Sequence, residues 1–223
     1  TYGSVLTPTN VGSGGYGNAG GGAIGLTVTG SLTNKGAITA NGGDGNQGAG
    51  SGGSVYITAG TLSGTGIIRA NGGNESWSCS AAGGRVAVIV TNSGATFSAY
   101  SGPITAYGGV QGVHGAAGSV YLQDANDGPG GGDLTLNNNN TTALTNVLSH
   151  LTAKLAPRPT ELAKTTVLVT NRVNAGLMSN CDVRDLLLTA NCTLNVNGKR
   201  LYIDTPEHAF GGTVYTNGGQ IVW

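Results

Sequence analysis

Charge is scarce in this sequence. Ten Lys plus Arg and ten Asp plus Glu are spread over 223 residues, with a formal net charge of zero. A dilute, balanced charge with no basic run excludes an electrostatic case for binding nucleic acid or an anionic membrane surface. Long apolar runs are missing too, and none reaches the roughly 18–20 residues that carry a helix across a bilayer, so no membrane insertion is expected. Pro occurs only six times and Gly, at 42, does not fall on every third position, which excludes a collagen-like chain. Cysteine is limited to Cys79, Cys181 and Cys192. They lack the C-x-x-C spacing of a structural zinc site. Cys181 and Cys192 are a candidate disulfide, against the alternative of three unpaired thiols. A first residue Thr1 with no leader ahead of it is read as the start of a mature product or of an excised fragment.

What is abundant is Gly, Thr, Ser and Asn, set between short runs of Val, Ile and Leu that alternate with other residues. Disorder is excluded, because those apolar runs recur and no net charge opposes collapse. Gly is read as punctuation between many short strands, supplying positive φ at sharp corners. The neutral polar surface suits a secreted or cell-surface location.

Self-similarity is the strongest signal. Gly21-Gly22-Ala23-Ile24-Gly25-Leu26-Thr27-Val28 returns as Gly52-Gly53-Ser54-Val55-Tyr56-Ile57-Thr58-Ala59, as Gly83-Gly84-Arg85-Val86-Ala87-Val88-Ile89-Val90, and as Ala117-Gly118-Ser119-Val120-Tyr121-Leu122. A second phrase follows three of these copies: Ile38-Thr39-Ala40-Asn41-Gly42-Gly43, Ile68-Arg69-Ala70-Asn71-Gly72-Gly73 and Ile104-Thr105-Ala106-Tyr107-Gly108-Gly109. One further apolar position, Leu32, Leu62 or Phe97, lies between the phrases. Alternation puts Ile24, Leu26 and Val28, then Val55 and Ile57, then Val86, Val88 and Val90 on one face. Gly25, Tyr56, Ala87 and Tyr121 are expected to face outward. One such unit cannot bury its apolar face alone, whereas stacked copies build a continuous core. The predicted fold is all-β, a parallel right-handed β-helix or solenoid with repeats of about thirty residues. The competing reading is an antiparallel β-sandwich, which gives no reason for the recurring Ala-Asn-Gly-Gly ending.

These phrases, with Tyr2-Gly3-Ser4-Val5-Leu6-Thr7-Pro8 at the start, resemble the Gly-rich β-helix repeats of large bacterial cell-surface, adhesin-like proteins. Leu194-Asn195-Val196-Asn197-Gly198-Lys199-Arg200-Leu201, Glu207-His208, Gly212-Thr213-Val214 and Gly218-Gly219-Gln220-Ile221-Val222-Trp223 are similar as well. The resemblance covers residues 1–123 and 186–223 and implies a stalk, fibre or adhesive surface. More distantly the phrases resemble the β-helices of polysaccharide lyases and phage tailspikes.

The expected organisation is a single domain over 1–223, with regular repeats over 1–123, an irregular insertion or cap over 124–185, and C-terminal strands over 186–223. In the middle part Leu144, Val147, Leu148, Leu151 and Leu155 fall on a helical stripe. The spacing predicts a short helix over 143–155, started by Thr141 or Thr142 and stopped by Pro157, or else an irregular rung. Val167–Val169 and Leu186–Leu188 restore strand character. Asn197-Gly198 is either a tight hairpin turn or another corner.

Loops 44–51, 74–82 and 110–117 follow each Gly-Gly and are expected to stack into one ridge, carrying Asp44, Asn46, Glu75, Trp77, Cys79, Gln111 and His114. Trp77 would stack on a sugar ring or anchor a neighbouring subunit, or fold back over its own loop. Tyr56 and Tyr121 suit glycan contact, subunit packing or simple cross-strand packing. Asp44 and Glu75, one rung apart, are the one carboxylate pair placed for acid–base work, against the alternative of solvated loop charges. Asp124-Ala125-Asn126-Asp127-Gly128 hints at calcium but lacks the later bidentate Glu of an EF-hand. His114, His150 and His208 lack metal-ligand spacing, and neither a nucleophile elbow nor a P-loop is present. The sequence thus points to a non-enzymatic extracellular structural or adhesive module, a rigid rod in a surface protein, fibre or filament. Its expected partners are itself, neighbouring domains of a longer chain, or a polysaccharide. The alternatives are a carbohydrate-active lyase or hydrolase and a carbohydrate-binding module.

Overall fold

The computed structural model describes residues 3–77, 79–141, 153–155, 160–205 and 209–223, and every element among them is a strand. The first half holds β1 (Ala23–Thr33), β2 (Ala37–Thr39), β3 (Ser54–Ser63), β4 (Ile67–Arg69), β5 (Arg85–Val90), β6 (Ile104–Thr105) and β7 (Ser119–Gln123). β1, β3, β5 and β7 run parallel in one sheet, with Ile24 opposite Val55, Val55 opposite Val86 and Val86 opposite Val120. β2, β4 and β6 form a second parallel sheet with Ile38, Ile68 and Ile104 in a column. Like residues therefore stack on like, as the repeats predict, and the antiparallel sandwich is overturned for this half.

Alternation decides what these strands bury. Val55, Ile57, Val86 and Val88 lie fully buried in one core with Leu62 and Ile68, each contributing about 1.5–3 kcal/mol by leaving water. Their counterparts on β1, Ile24, Leu26 and Val28, are only half-buried, because β1 is the edge of the sheet.

The Gly residues of the repeat do something other than turn corners. Gly53, Gly84 and Gly118 have no positive φ. They stand in register, and a Cβ on any of them would lie 1.9–2.0 Å from the carbonyl oxygen of a Gly in the rung before. Gly21, Gly52 and Gly83 meet the carbonyls of Ala40, Ala70 and Ala106 at 2.0–2.2 Å in the same way. The expectation of positive φ at these positions is corrected: the requirement is close approach of backbone to backbone.

The second half holds β8 (Asp133–Asn137), β9 (Ala153–Leu155), β10 (Thr166–Thr170), β11 (Asn174–Leu177), β12 (Cys181–Val183), β13 (Asp185–Leu188), β14 (Thr193–Asn195), β15 (Arg200–Ile203), β16 (Ala209–Phe210), β17 (Thr213–Tyr215) and β18 (Gln220–Val222). β8 joins the first sheet beside β7 but antiparallel to it, with Tyr121 opposite Leu134. β10, β13 and β16 continue that sheet parallel to β8. β9, β11, β14 and β17 make a third sheet, and β12, β15 and β18 a fourth, all parallel. From β10 onward the chain visits these three sheets in strict rotation. The repeat is shorter here: Val167 faces Leu186 and Cys181 faces Leu201, nineteen and twenty residues on.

Four expectations meet the structure in this half. Segment 124–185 is no irregular insertion where it is described, since it supplies five of the stacked strands. The helix over 143–155 falls mostly outside the described residues, and its last three, Ala153–Leu155, are strand β9, paired with β11. Asn197-Gly198 is a corner between β14 and β15, which lie in different sheets, and not a hairpin. Cys181 and Cys192 are separate buried thiols, so the candidate disulfide is not formed.

Tyr121 and Ala87 are also corrected, from outward-facing to fully buried. Leu134, Leu136, Val167, Val169, Leu186 and Leu188 form a second core, and it covers the face of the first sheet that carries Tyr121, Ala87 and Tyr56. Tyr56 is half-buried against it, and Val5 and Leu6 reach it from the N-terminal segment. Inside this core the Tyr121 hydroxyl donates to Gln123 Oε1 at 2.7 Å and accepts from the Gly132 N–H at 3.3 Å. Burial pushes its phenol up to about 12, helped by Asp127 and Asp133 and opposed by the Gly132 contact and Arg184.

Candidate functional site: a polar groove on the stacked loops

The three loops after the Gly-Gly pairs do stack, and side chains of one rung bind the backbone of the next. Asp44 Oδ1 accepts from the Asn74 N–H at 2.7 Å, and Asn74 Oδ1 accepts from the Val110 N–H at 2.9 Å. One rung position inward, Asn41 Oδ1 accepts from the Asn71 N–H and Asn71 Oδ1 from the Tyr107 N–H, both at 2.9 Å. The preference for Asp or Asn after Gly-Gly thus has a mechanical cause, since a short side-chain oxygen reaches one layer onward.

Ser80 fastens the ridge from below. Its hydroxyl accepts from the Glu75 N–H at 3.0 Å and the Gln111 N–H at 3.1 Å, and donates to the Gln111 carbonyl at 2.5 Å. Glu75 is fully buried, with Oε1 accepting from the Trp77 N–H at 2.7 Å. It closes its own loop, while Asp44 is exposed. The two carboxylates therefore serve different environments, and the expected acid–base pair is not assembled.

On top of this scaffold lies a groove of about 400 Å³ lined by Asn18, Asp44, Asn46, Asn74, Ser76 and Gln111. Ser76 Oγ donates to Gln111 Oε1 at 3.1 Å. Asn18 is held by Nδ2 contacts to the carbonyls of Gly48 at 2.6 Å and Tyr16 at 3.2 Å. The lining is amides, a hydroxyl and one carboxylate, with no cation among the lining residues. Such a set pairs with hydroxyl groups in both donor and acceptor sense. Beside it Trp77 is 84% exposed, so the reading that folds it back over its loop is overturned. Tyr16, on the loop that also carries Asn18, is exposed as well.

Of the residues expected on the ridge, Asp44, Asn46 and Gln111 line the groove and Trp77 flanks it. Glu75 lies beneath it and Cys79 is exposed on the same loop. His114 is half-buried outside the groove, with Nδ1 buried and unpartnered among the described residues. Tyr56 and Tyr121 lie on the opposite core and take no part. Sequence reasoning missed Asn18, Asn74 and Ser76. The signal for Asn74 was present, because Gly72-Gly73-Asn74 repeats Gly42-Gly43-Asp44.

At the proposed calcium loop, Asp124 Oδ1 accepts from the Asn126 N–H and Asp127 Oδ2 from the Asp124 N–H. Burial first, then Asp127 and Asp124, hold the nearby Asp133 above the usual carboxylate range, with Arg184 opposing. Among the described residues no group of three or more His, Cys, Asp or Glu is placed to hold a metal ion. No protein-family model, curated protein or solved structure matches this chain.

Proposed function

We propose that the chain is an extracellular, non-enzymatic adhesive β-solenoid that holds a glycan in the groove on its stacked loops. One observation carries the reading: four successive layers each place a hydrogen-bonding side chain on one groove, beside an exposed Trp77. Layers spaced by roughly 4.8 Å are close in length to one hexopyranose unit, so a linear polysaccharide lying along the stack meets an equivalent contact at each sugar. Trp77 supplies the apolar face on which a ring stacks. The groove has only one carboxylate, and that suits binding without turnover.

The solenoid reading rests on the rotation of β10 to β18 through three parallel sheets and on the in-register columns of the first half. At the β7–β8 junction both the strand direction and the face carrying the core reverse. Reversing both together preserves the hand of a coil. On this reading the two halves are coils of one hand, taken as right-handed because parallel crossovers overwhelmingly are. Among the described residues β1 is half-buried and Trp223 is exposed against Phe210, which suits a module continued by further domains in a rod.

The test is a glycan array followed by titration of the retained polysaccharide. Wild type is expected to retain at least one neutral polysaccharide, and Trp77→Ala to weaken it by about tenfold or more. Asp44→Asn, which keeps the shape and removes the charge, is expected to weaken it less. No retained glycan, or a Trp77→Ala variant that binds as wild type does, overturns the glycan reading. Release of new reducing ends from the bound polysaccharide overturns the non-enzymatic one.

A further inference from the structure

A second cavity, of about 400 Å³, lies on the other side of the first sheet. Its floor is the backbone of Gly52-Gly53, Ala82-Gly83-Gly84 and Ala116-Ala117-Gly118, and its walls include the apolar Val5, Val11, Leu136 and Leu155. The floor carries nothing larger than a methyl group, and a Cβ at Gly53, Gly84 or Gly118 would strike a neighbouring carbonyl at 1.9–2.0 Å. The size and the apolar walls suit a small organic ligand.

Into this apolar setting the sheet delivers one cation. Arg85 lines the cavity between its register partners Ser54 and Ser119. Ser54 Oγ already donates to the Asn10 carbonyl at 2.6 Å. Arg85, by contrast, has no hydrogen bond or ion pair of its side chain among the described residues, and Ser119, also on the wall, keeps a buried Oγ with no partner. A buried hydroxyl left unpaired and a partly desolvated guanidinium are each costly, and each is relieved by an oxyanion. Glu161 acts on Arg85 through space, and its carboxylate also accepts from Ser4 Oγ, which tethers the segment bearing Val5. Burial lowers the Arg85 guanidinium below its usual range and Glu161 offsets part of this.

We propose that this cavity is a binding site for a small monocarboxylate with an apolar, flat body, its carboxylate on Arg85 and Ser119 and its body on the glycine floor. The site is independent of the loop groove, and its ligand is chosen by one charge rather than by hydroxyl groups. Dicarboxylates are disfavoured, because Arg85 is the one cation in a lining whose other polar side chains, Asn10, Ser13, Ser51 and Ser119, are all neutral.

The test is titration calorimetry of the full chain with 3-phenylpropionate, 3-phenylpropanol and 3-phenylpropylamine. The acid is expected to bind with a dissociation constant at or below about 1 mM, a modest demand for a ligand of this size, and the alcohol and amine at least about tenfold more weakly. Arg85→Gln is expected to weaken the acid by about tenfold or more, and Ser119→Ala by about threefold. Glu161→Gln removes a competing negative charge and is expected to tighten the acid by about twofold or more. Trp77→Ala should leave it unchanged, which separates this site from the glycan reading. The proposal is overturned if wild type does not bind the acid, or if the amine binds as well as the acid. It is overturned equally if a folded Arg85→Gln variant binds as wild type does. Should Arg85→Gln not fold, by circular dichroism, Glu161→Gln decides: unchanged or weaker binding refutes the site.

Discussion

Replacing Gly84 by Ala tests what the glycines of the repeat are for. The added Cβ would sit 2.0 Å from the Gly53 carbonyl oxygen and 2.6 Å from the Gly52 carbonyl carbon, both backbone atoms. Ordinary contact lies near ~3.5 Å, so the rungs would have to part locally by roughly 1.5 Å. The same Gly53 carbonyl accepts the Arg85 N–H at 2.9 Å, and parting the rungs stretches that bond. Overpacking costs about 1–3 kcal/mol and a weakened buried ladder bond about 1–3 kcal/mol more. The expected loss is about 2–6 kcal/mol, or roughly 4–24 °C in Tm for a chain of this size. Gly22 is the internal control. It occupies the same place in the first copy, is exposed, and a methyl group added there would meet nothing within 4 Å, because β1 is the edge strand of its sheet among the described residues. Gly22→Ala is therefore expected to be neutral or to stabilise by about 0.4–1 kcal/mol through the unfolded chain. Thermal melts followed by circular dichroism compare the two. A Gly84→Ala protein melting within about 2 °C of wild type, or a Gly22→Ala protein damaged as much as Gly84→Ala, would refute the close-approach account.

Tyr121 makes stability fall with pH in a defined window. Its phenol is neutral in the fold until about 12 against an ordinary value of 10.0, so the stabilisation is complete below pH 10 and is lost between pH 10 and about 12, on the order of 2–3 kcal/mol in all. Denaturant melts across that range should show the loss in wild type and a smaller one in Tyr121→Phe; equal slopes would rule the assignment out. Thiol labelling offers a separate check. Burial pushes the Cys181 thiol up to about 12, Cys192 is buried and Cys79 exposed, so a disulfide-exchange reagent at pH 8 should modify only Cys79 in the native protein and all three cysteines in denaturant. Fast native labelling of a second thiol contradicts the packing.

The first half of the fold was legible because one phrase returns at nearly constant spacing, and parallel in-register stacking is the arrangement that puts Ile24, Val55, Val86 and Val120 in a column. In the second half the strands at Val167–Val169, Leu186–Leu188 and beyond were legible, but their stacking was not, because the repeat shortens to about twenty residues without a Gly-Gly in every copy to mark it. A mark did exist: Asn197-Gly198 and Asn217-Gly218 lie twenty residues apart, and all four residues have positive φ, the signature of one corner used twice. The burial of Tyr121 was not legible: its register partners along that face, Gly25, Tyr56 and Ala87, follow no trend in polarity, and the residues that cover it, Leu134, Leu136, Val167 and Val169, come from the half whose stacking was not read.

Glu75 marks the point where residue type ceased to predict role. Asp44 and Glu75 sit in equivalent loops, and spacing alone pairs them as two carboxylates on one ridge. Their positions in the loop differ as well as their lengths, since Asp44 is equivalent to Asn74 and Glu75 to Gly45. The shorter Asp44 reaches the next rung's Asn74 N–H from an exposed position and stays on the groove. The longer Glu75 curls back to its own loop, caps the Trp77 N–H and is sealed from water. The carboxylate expected to act on a ligand instead holds the backbone N–H of Trp77, whose side chain is exposed. Sequence patterns locate such a ridge well, because periodicity is a property of the whole stack. They locate individual roles poorly, because the direction of one side chain depends on which N–H is left unpaired within its reach.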